Sequence, residues 1–185
     1  MRYPAEHKAE VRDRIVATAA RALREEGLDG ASVPELMRRA GLTHGGFYNH
    51  FPDREALVAE AVARAAAETG EAVFEAHEGD PGAVLAAYLS PEHVASPGGG
   101  CVLAALGAEA AHSGSRRVRR AFAAAARGFL AYVQRVVAPS SRRGPDDGAL
   151  VVASQMIGAV VLARLVDDAA LSARILKSVR RAAAV

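Results

Sequence analysis

Along most of the chain apolar residues recur three or four positions apart, and no strand-length segment alternates between apolar and polar. Ala, Leu, Arg and Glu, all good helix formers, fill the intervals. The pattern predicts a first helix from about Pro4 to Glu26, with Val11, Ile15, Ala19, Ala22 and Leu23 on its inner face and Gly27 ending it. A turn at Asp29-Gly30 follows. Ser32-Val33-Pro34-Glu35 then reads as a capping box, Ser32 at the N-cap and Glu35 three residues on, opening a short helix that stops at Gly41. Thr43 is placed to cap a third helix holding His44 to His50, and Asp53 a long fourth one from Arg54 to about His77.

Beyond Gly79-Asp80-Pro81-Gly82 the periodicity predicts helices over Ala83 to Leu89, Cys101 to Ala111, Ser115 to Ala138, Asp146 to Asp168 and Leu171 to Ala184. The expected architecture is all-α, with a three-helix N-terminal unit over residues 1–60 and an antiparallel helical bundle over 61–185.

Composition narrows this picture. Apolar residues are 51% and charged residues 24% of 185, which suits a folded globular chain and not a disordered one. The net charge of +2 is no polycation, so any case for nucleic acid rests on local placement. One cysteine, Cys101, excludes an intrachain disulfide and a multi-cysteine metal site, and a reducing cytoplasmic setting is expected. The start, Met1 to Lys8, has no apolar stretch and does not read as a signal peptide. The apolar run Ala149 to Ala163 contains Ser154 and Gln155 and stops at Arg164, short of the roughly 20 residues of a membrane span. It reads as a buried or interface helix, with no membrane partner.

The chemistry concentrates between residues 32 and 57. Two short helices joined by Ala40-Gly41-Leu42-Thr43 meet the needs of a helix-turn-helix, because a glycine lets the chain bend sharply between them. Leu36, Ala40, Leu42, Phe47 and Phe51 supply the packing. Thr43, His44, Gly45, Gly46, Tyr48, Asn49 and His50 then cover an outward surface of hydroxyl, imidazole and amide groups able to meet phosphates and base edges. A metal site from His44 and His50 is a poor reading, because their spacing points them to different helix faces and no carboxylate lies between them.

The run from Ala31-Ser32-Val33 through Ala40-Gly41-Leu42-Thr43-His44-Gly45-Gly46-Phe47-Tyr48-Asn49-His50-Phe51-Pro52-Asp53-Arg54-Glu55-Ala56-Leu57 resembles the TetR family of bacterial repressors. The resemblance covers about the first third of the chain; the rest is similar only in its helical plan. It implies a regulator of transcription that binds operator DNA, with Tyr48, His50 and Arg54 gripping phosphates. Ser32 belongs to the same DNA-binding set. Gly46 departs from the family, where Thr or Ser is usual, so readout shifts to Thr43, His44 and Asn49.

A recognition helix of about two turns touches few base pairs, so specificity needs two copies about a twofold axis. The long apolar helix, with Val151, Val152, Met156, Ile157, Val160, Val161 and Leu165, and the last helix, with Leu171, Ile175, Leu176 and Val179, are expected to form a homodimer through a four-helix bundle. A small hydrophobic or electrophilic inducer is expected among the middle helices, against Phe74, Tyr88, Cys101, Leu103, Phe122, Phe129 and Tyr132. The segment Gly99 to Leu106 resembles a branch of the family that includes electrophile-responsive repressors, which makes Cys101 a candidate sensor beside its reading as a small buried hydrophobe. No cofactor is implied. An enzyme using Cys101 with His77, His93 or His112 as base lacks a third orienting residue. A helical adaptor explains the bundle but not the order of residues from Ser32 to Leu57.

Overall fold

The computed structural model describes residues 5–137 and 146–183, and among these there is no strand. Pro4, the connection over 138–145 and Ala184 lie outside the described residues. Helix α1 is Ala5–Glu26, α2 Val33–Arg39, α3 Arg54–Thr69, α4 Pro81–Tyr88, α5 Pro91–Ala95, α6 Val102–His112, α7 Arg116–Tyr132, α8 Asp147–Leu165 and α9 Ala169–Ala183.

The capping and stop signals act at the expected positions. Gly27 ends α1 at φ +92°, a left-handed turn that only glycine adopts without strain. The Ser32 hydroxyl accepts the Glu35 N–H at 3.4 Å, and the Asp53 carboxylate accepts the Ala56 N–H at 2.7 Å. All five residues expected on the inner face of α1 are buried.

The structure departs from these expectations in four places. Residues His44–Asn49 form a 3₁₀ turn rather than an α-helix, and Thr43 makes no capping bond to it. Two adjacent glycines in six residues are poor helix formers, and the segment tightens to i→i−3 bonds such as His50 N–H to Phe47 C=O, 2.9 Å. The fourth predicted helix does not run evenly to His77: α3 stops at Thr69 and Gly70–Glu75 widens into a π turn, with Ala76 N–H reaching Glu71 C=O five residues back. The seventh ends in a second π turn, Val133–Val137. Finally, α5 is absent from the periodicity, since five residues opening on Pro91 are too few to show one; Ser90 caps it through the His93 N–H.

Two apolar cores result. The first joins α1, α2, α3, α6 and the N-terminal half of α7 around Ile15, Leu23, Leu36, Phe47, Leu57 and Leu106. The second holds Phe74, Tyr88, Phe129, Met156, Val160 and Leu176 between α4, α7, α8 and α9. A polar seam ties α1 to α3 through Arg12–Glu60, Asp13–Arg64 and Arg24–Glu68. Helix α8, with 19 residues and a mean hydropathy of 1.8, is long and apolar enough to cross a membrane by length and composition. Ala149, Ala153, Met156, Ala159, Val160 and Ala163 nevertheless form one fully packed face. Met156, Val160 and Leu176 are thus core of a single chain, which removes them from the set available to a second copy.

Candidate nucleic-acid interface and ligand cavity

The N-terminal unit presents its small polar surface because larger residues hold it from behind. Leu36, Met37, Ala40, Phe47 and Phe51 are buried, and Phe47 stacks on Phe51 at 5.6 Å. Gly41 turns the chain at φ +73°, and Leu42 N–H donates to Met37 C=O across that turn. Ser32, Thr43, His44, Gly45, Tyr48 and Asn49 are exposed, while Gly46 and His50 are half-buried. Tyr48 is 68% exposed and rests edge-on against Phe47 and His44. An aromatic so placed contributes little to the core and leaves its hydroxyl free to meet a phosphate.

Charge is distributed unevenly around this surface. Arg38 and Arg39 both bind Glu35, at 2.7 and 2.8 Å, and Arg39 also pairs with Glu26. Those hydrogen bonds pull the Glu35 carboxyl down to about 2. Arg54 turns inward, donating to the carbonyls of Leu28 and Ala31 and facing Asp29 at 3.5 Å. In this arrangement it braces the α1–α2 turn. Burial, then the charges of Lys8 and Arg12, push His50 below the ordinary imidazole value.

Behind the domain, α3, α6 and α7 enclose a cavity of about 430 Å³. Its lining includes Phe74, Cys101, Leu103, Phe129 and Tyr132 of the predicted set, with Val102, Thr69, Gly70 and a run of alanines from α3 and α7 that periodicity does not single out. Among the described residues no charged side chain lines it. Two predicted residues lie elsewhere: Tyr88 is fully buried against Phe129 and His93, and Phe122 lines a shallower depression with Gly107, Ala110 and Arg119. At one end of the cavity Phe74 and Tyr132 stack at 5.1 Å, and Tyr132 donates to Glu75 at 2.9 Å. Gly70 lets this ring close in, because a Cβ there would sit 3.0 Å from the Tyr132 hydroxyl.

Cys101 is buried at the N-cap of α6. Its backbone N–H donates to His93 Nε2 at 2.9 Å, so His93 carries its proton on Nδ1 and donates it to the Tyr88 carbonyl at 2.6 Å. Burial holds His93 below its ordinary pKa and neutral, and the imidazole is engaged with backbone rather than with the thiol. His77 and His112 bond the carbonyls of Val73 and Ala108. Among the described residues no group of three or more His, Cys, Asp or Glu side chains could hold a metal.

Sequence reasoning overlooks the residues that join the two parts. Arg24 is buried in α1 and donates to the Gly100 carbonyl at 2.9 Å and to Glu68 at 2.6 Å. Glu109 of α6 accepts the Leu28 N–H at 2.7 Å, Ser115 donates to Glu55 at 2.7 Å, and Arg117 binds Asp53 at 2.7 Å. Each pairs groups more than forty positions apart, beyond the reach of any local pattern.

Residues 15–61 match the family described as bacterial regulatory proteins, tetR family. No curated protein matches the sequence. Among solved structures, the reduced form of NemR from E. coli is similar at 23% identity and a TM-score of 0.74, covering 94% of this chain and 95% of that one. A TetR transcriptional regulator from Chloroflexus aurantiacus is similar at 25% identity and a TM-score of 0.72, covering 97% and 94%. AibR, solved with isovaleryl coenzyme A and operator DNA, is similar at 16% identity and a TM-score of 0.65, covering 92% and 96%.

Proposed function

Because residues 15–61 match the tetR family of bacterial regulatory proteins and most of the chain shares the fold of a solved TetR regulator, we propose a homodimeric, cytoplasmic repressor. It binds palindromic operator DNA and is released by a small uncharged ligand. The observation that carries this reading is the continuity of α3. Its capped first turn follows the recognition segment by four residues, and Ala59, Ala63, Ala66, Ala67 and Thr69 further along the same helix line the cavity. A ligand that binds the two positions of α3 unequally would shift the recognition segments off their half-site spacing.

The lining chooses the ligand class. A charged ligand buried among alanines, Phe74, Phe129 and Leu103 would lose its hydration with no counter-charge to replace it. A neutral apolar or aromatic molecule suits this lining. Cys101 is buried but is among the lining residues, which supports reading an electrophilic member of that class as a second kind of inducer.

The test begins with selection of a binding duplex from a randomised pool by the full chain, followed by a screen of neutral aromatic and electrophilic compounds for release. A chain that selects no duplex would sink the reading. Tyr48→Ala is expected to weaken binding to selected and random duplexes alike by about ten-fold, as removal of a phosphate contact does, with no change in thermal stability. Asn49→Ala or Thr43→Ala is expected instead to change the order of preference among duplex variants. Equal affinities for all three variants and the parent would refute the assignment of this surface.

Cavity filling separates sensing from DNA binding. Gly128 lines the cavity and a Cβ there meets nothing within 4 Å, so Gly128→Phe has room to occupy the ligand's place. The variant should bind DNA as the parent does and lose at least about ten-fold in ligand sensitivity, a coupling within the usual allosteric range. Cys101→Ser should keep the response to inert ligands and lose only the response to electrophiles. A normal electrophile response in that variant would leave the thiol a packing residue.

A further inference from the structure

The first turns of α7 carry an unusual concentration of charge, Arg116, Arg117, Arg119 and Arg120 within five residues, with no acidic residue in the first turn. A helix N-terminus is the positive end of the helix dipole and disfavours cations. Arg116 and Arg120 also stand four apart, and Arg116 and Arg119 three apart, on one face, where like charges repel. On grounds of folding alone this segment is a poor choice.

Only part of the cluster is used internally. Arg117 grips both oxygens of Asp53, at 2.7 and 2.9 Å, and Arg119 donates to the Ser113 carbonyl. All four are exposed, and no hydrogen bond or ion pair to Arg116 or Arg120 is found among the described residues. The acids nearby are already committed: Asp53 to Arg117 and the Ala56 N–H, Glu55 to Ser115, Glu109 to the Leu28 N–H.

The place of the cluster gives it a use. Asp53 is the N-cap of α3 and lies four residues beyond the end of the recognition turn, so the Arg117–Asp53 and Ser115–Glu55 bonds dock the start of α7 onto the end of α3 nearest the recognition segment. Arg38, Arg39 and Arg54, three basic side chains of the N-terminal unit near that segment, are turned into internal pairs. Lys8 and Arg12 of α1, whose charges reach His50, remain beside the segment, and further cationic contacts to a polyanion must come from elsewhere.

We propose that Arg116, Arg119 and Arg120 form a second DNA-backbone contact, in which the body of the protein binds phosphates flanking those met by the recognition segment. This rests on the reading of the chain as a DNA-binding regulator. Arg117 acts as the positioning residue that holds α7 against α3. Such contacts are blind to base sequence and add affinity that falls with salt. They also make the docking of the body on α3 part of the DNA-binding surface, so a ligand that loosens that docking weakens both.

The experiment compares three full-length proteins on the selected duplex, roughly 30 base pairs long to span two half-sites, and on a scrambled duplex of equal length. These are the parent, Arg116→Gln/Arg119→Gln/Arg120→Gln, and a control with the same charge removed from α9, Arg174→Gln/Lys177→Gln/Arg181→Gln. Affinity is measured by fluorescence anisotropy between about 50 and 200 mM salt. Removing one phosphate contact lowers the slope of log affinity against log salt by about 0.9 per subunit. The α7 variant is expected to show a slope smaller by about 2 units or more and an affinity weaker by about ten-fold or more at 50 mM salt on both duplexes, with the α9 control close to the parent. Its melting temperature should be equal to the parent's or higher, since repulsion has been relieved. An α7 variant with the slope of the parent, or of the α9 control, overturns this proposal alone. A parent that binds no duplex overturns the regulator reading with it. Were the triple variant to melt lower, Arg116→Gln/Arg120→Gln, which removes only the two side chains without partners, decides by the same slope.

Discussion

Leu162→Glu is expected to yield a folded monomer whose affinity for a two-half-site duplex falls by ~100-fold or more, because the avidity of paired recognition segments is abolished. Helices α8 and α9 carry Leu150, Val151, Leu162, Leu165 and Leu171 exposed, Leu165 by 74%. On α8, Val151, Ser154, Gly158, Leu162 and Leu165 advance by three, four, four and three positions, which places them on one stripe. Gly158 has open space where a Cβ would stand, so a second backbone can approach closely there. In a twofold dimer each substitution counts twice, and an unpaired carboxylate on this stripe costs about 3 kcal/mol or more per site. Sedimentation at micromolar concentration together with the DNA shift is the measurement. A Leu162→Glu protein that sediments as the parent does would exclude this face as the interface. Ile157 and Val161, expected from sequence to be interface residues, are half-buried, and Ile157 packs against the second core, so a charge there would confuse unfolding with dissociation.

Arg24→Met is expected to lower stability by roughly 2–3 kcal/mol, a shift of about 5–10 °C for a chain of this size, and to blunt the ligand response. The guanidinium is buried and satisfies three acceptors on three segments: Ala20 on α1, Glu68 on α3 and the Gly100 carbonyl before Cys101. Methionine keeps most of the volume but leaves the Gly100 carbonyl without its donor. Glu68 keeps Arg64 at 3.0 Å and some solvent, which places the cost at the low end for a broken buried pair. The same bonds connect the edge of the cavity to the DNA-binding domain, so coupling should weaken along with stability. Thermal melting and ligand titration of DNA release report the two effects separately. A variant that melts within about 1 °C of the parent would show that the Arg24 network contributes nothing net to stability.

Much of the architecture can be read from local chemistry. The caps at Ser32 and Asp53, the stop at Gly27 and the inner face of α1 each depend on residues within four positions of one another, so a linear reading finds them. Local reading fails where competing terms are close. A six-residue segment with two glycines has little preference between α and 3₁₀, and packing of Phe47 and Phe51 against the first core decides it. The π turn after Thr69 meets the end of α7 through the Phe74–Tyr132 stack, a contact across fifty-eight positions that neither segment announces.

The candidate site divides along the same line. The order of residues from Ser32 to Leu57 predicts the paired segments of the N-terminal unit and, apart from half-buried Gly46 and His50, which of their side chains face outward, since burial of Leu36, Phe47 and Phe51 follows from their spacing. Which basic groups remain available to DNA does not follow from spacing. Arg54 is withdrawn by the Leu28 carbonyl and Arg39 by Glu26, while Arg116 and Arg120 are brought to the end of α3 by one ion pair, Arg117–Asp53, and one hydrogen bond, Ser115–Glu55. Likewise, aromatic residues of the body are recognisable as apolar, but whether each bounds the cavity or fills the core is set by helix crossing. Tyr88 and Phe129 are in contact, yet only Phe129 borders the open space. Periodicity records which face of a helix avoids water; it carries no information about what stands opposite that face, and charge pairing and cavity shape are properties of the opposite side as much as of the helix itself.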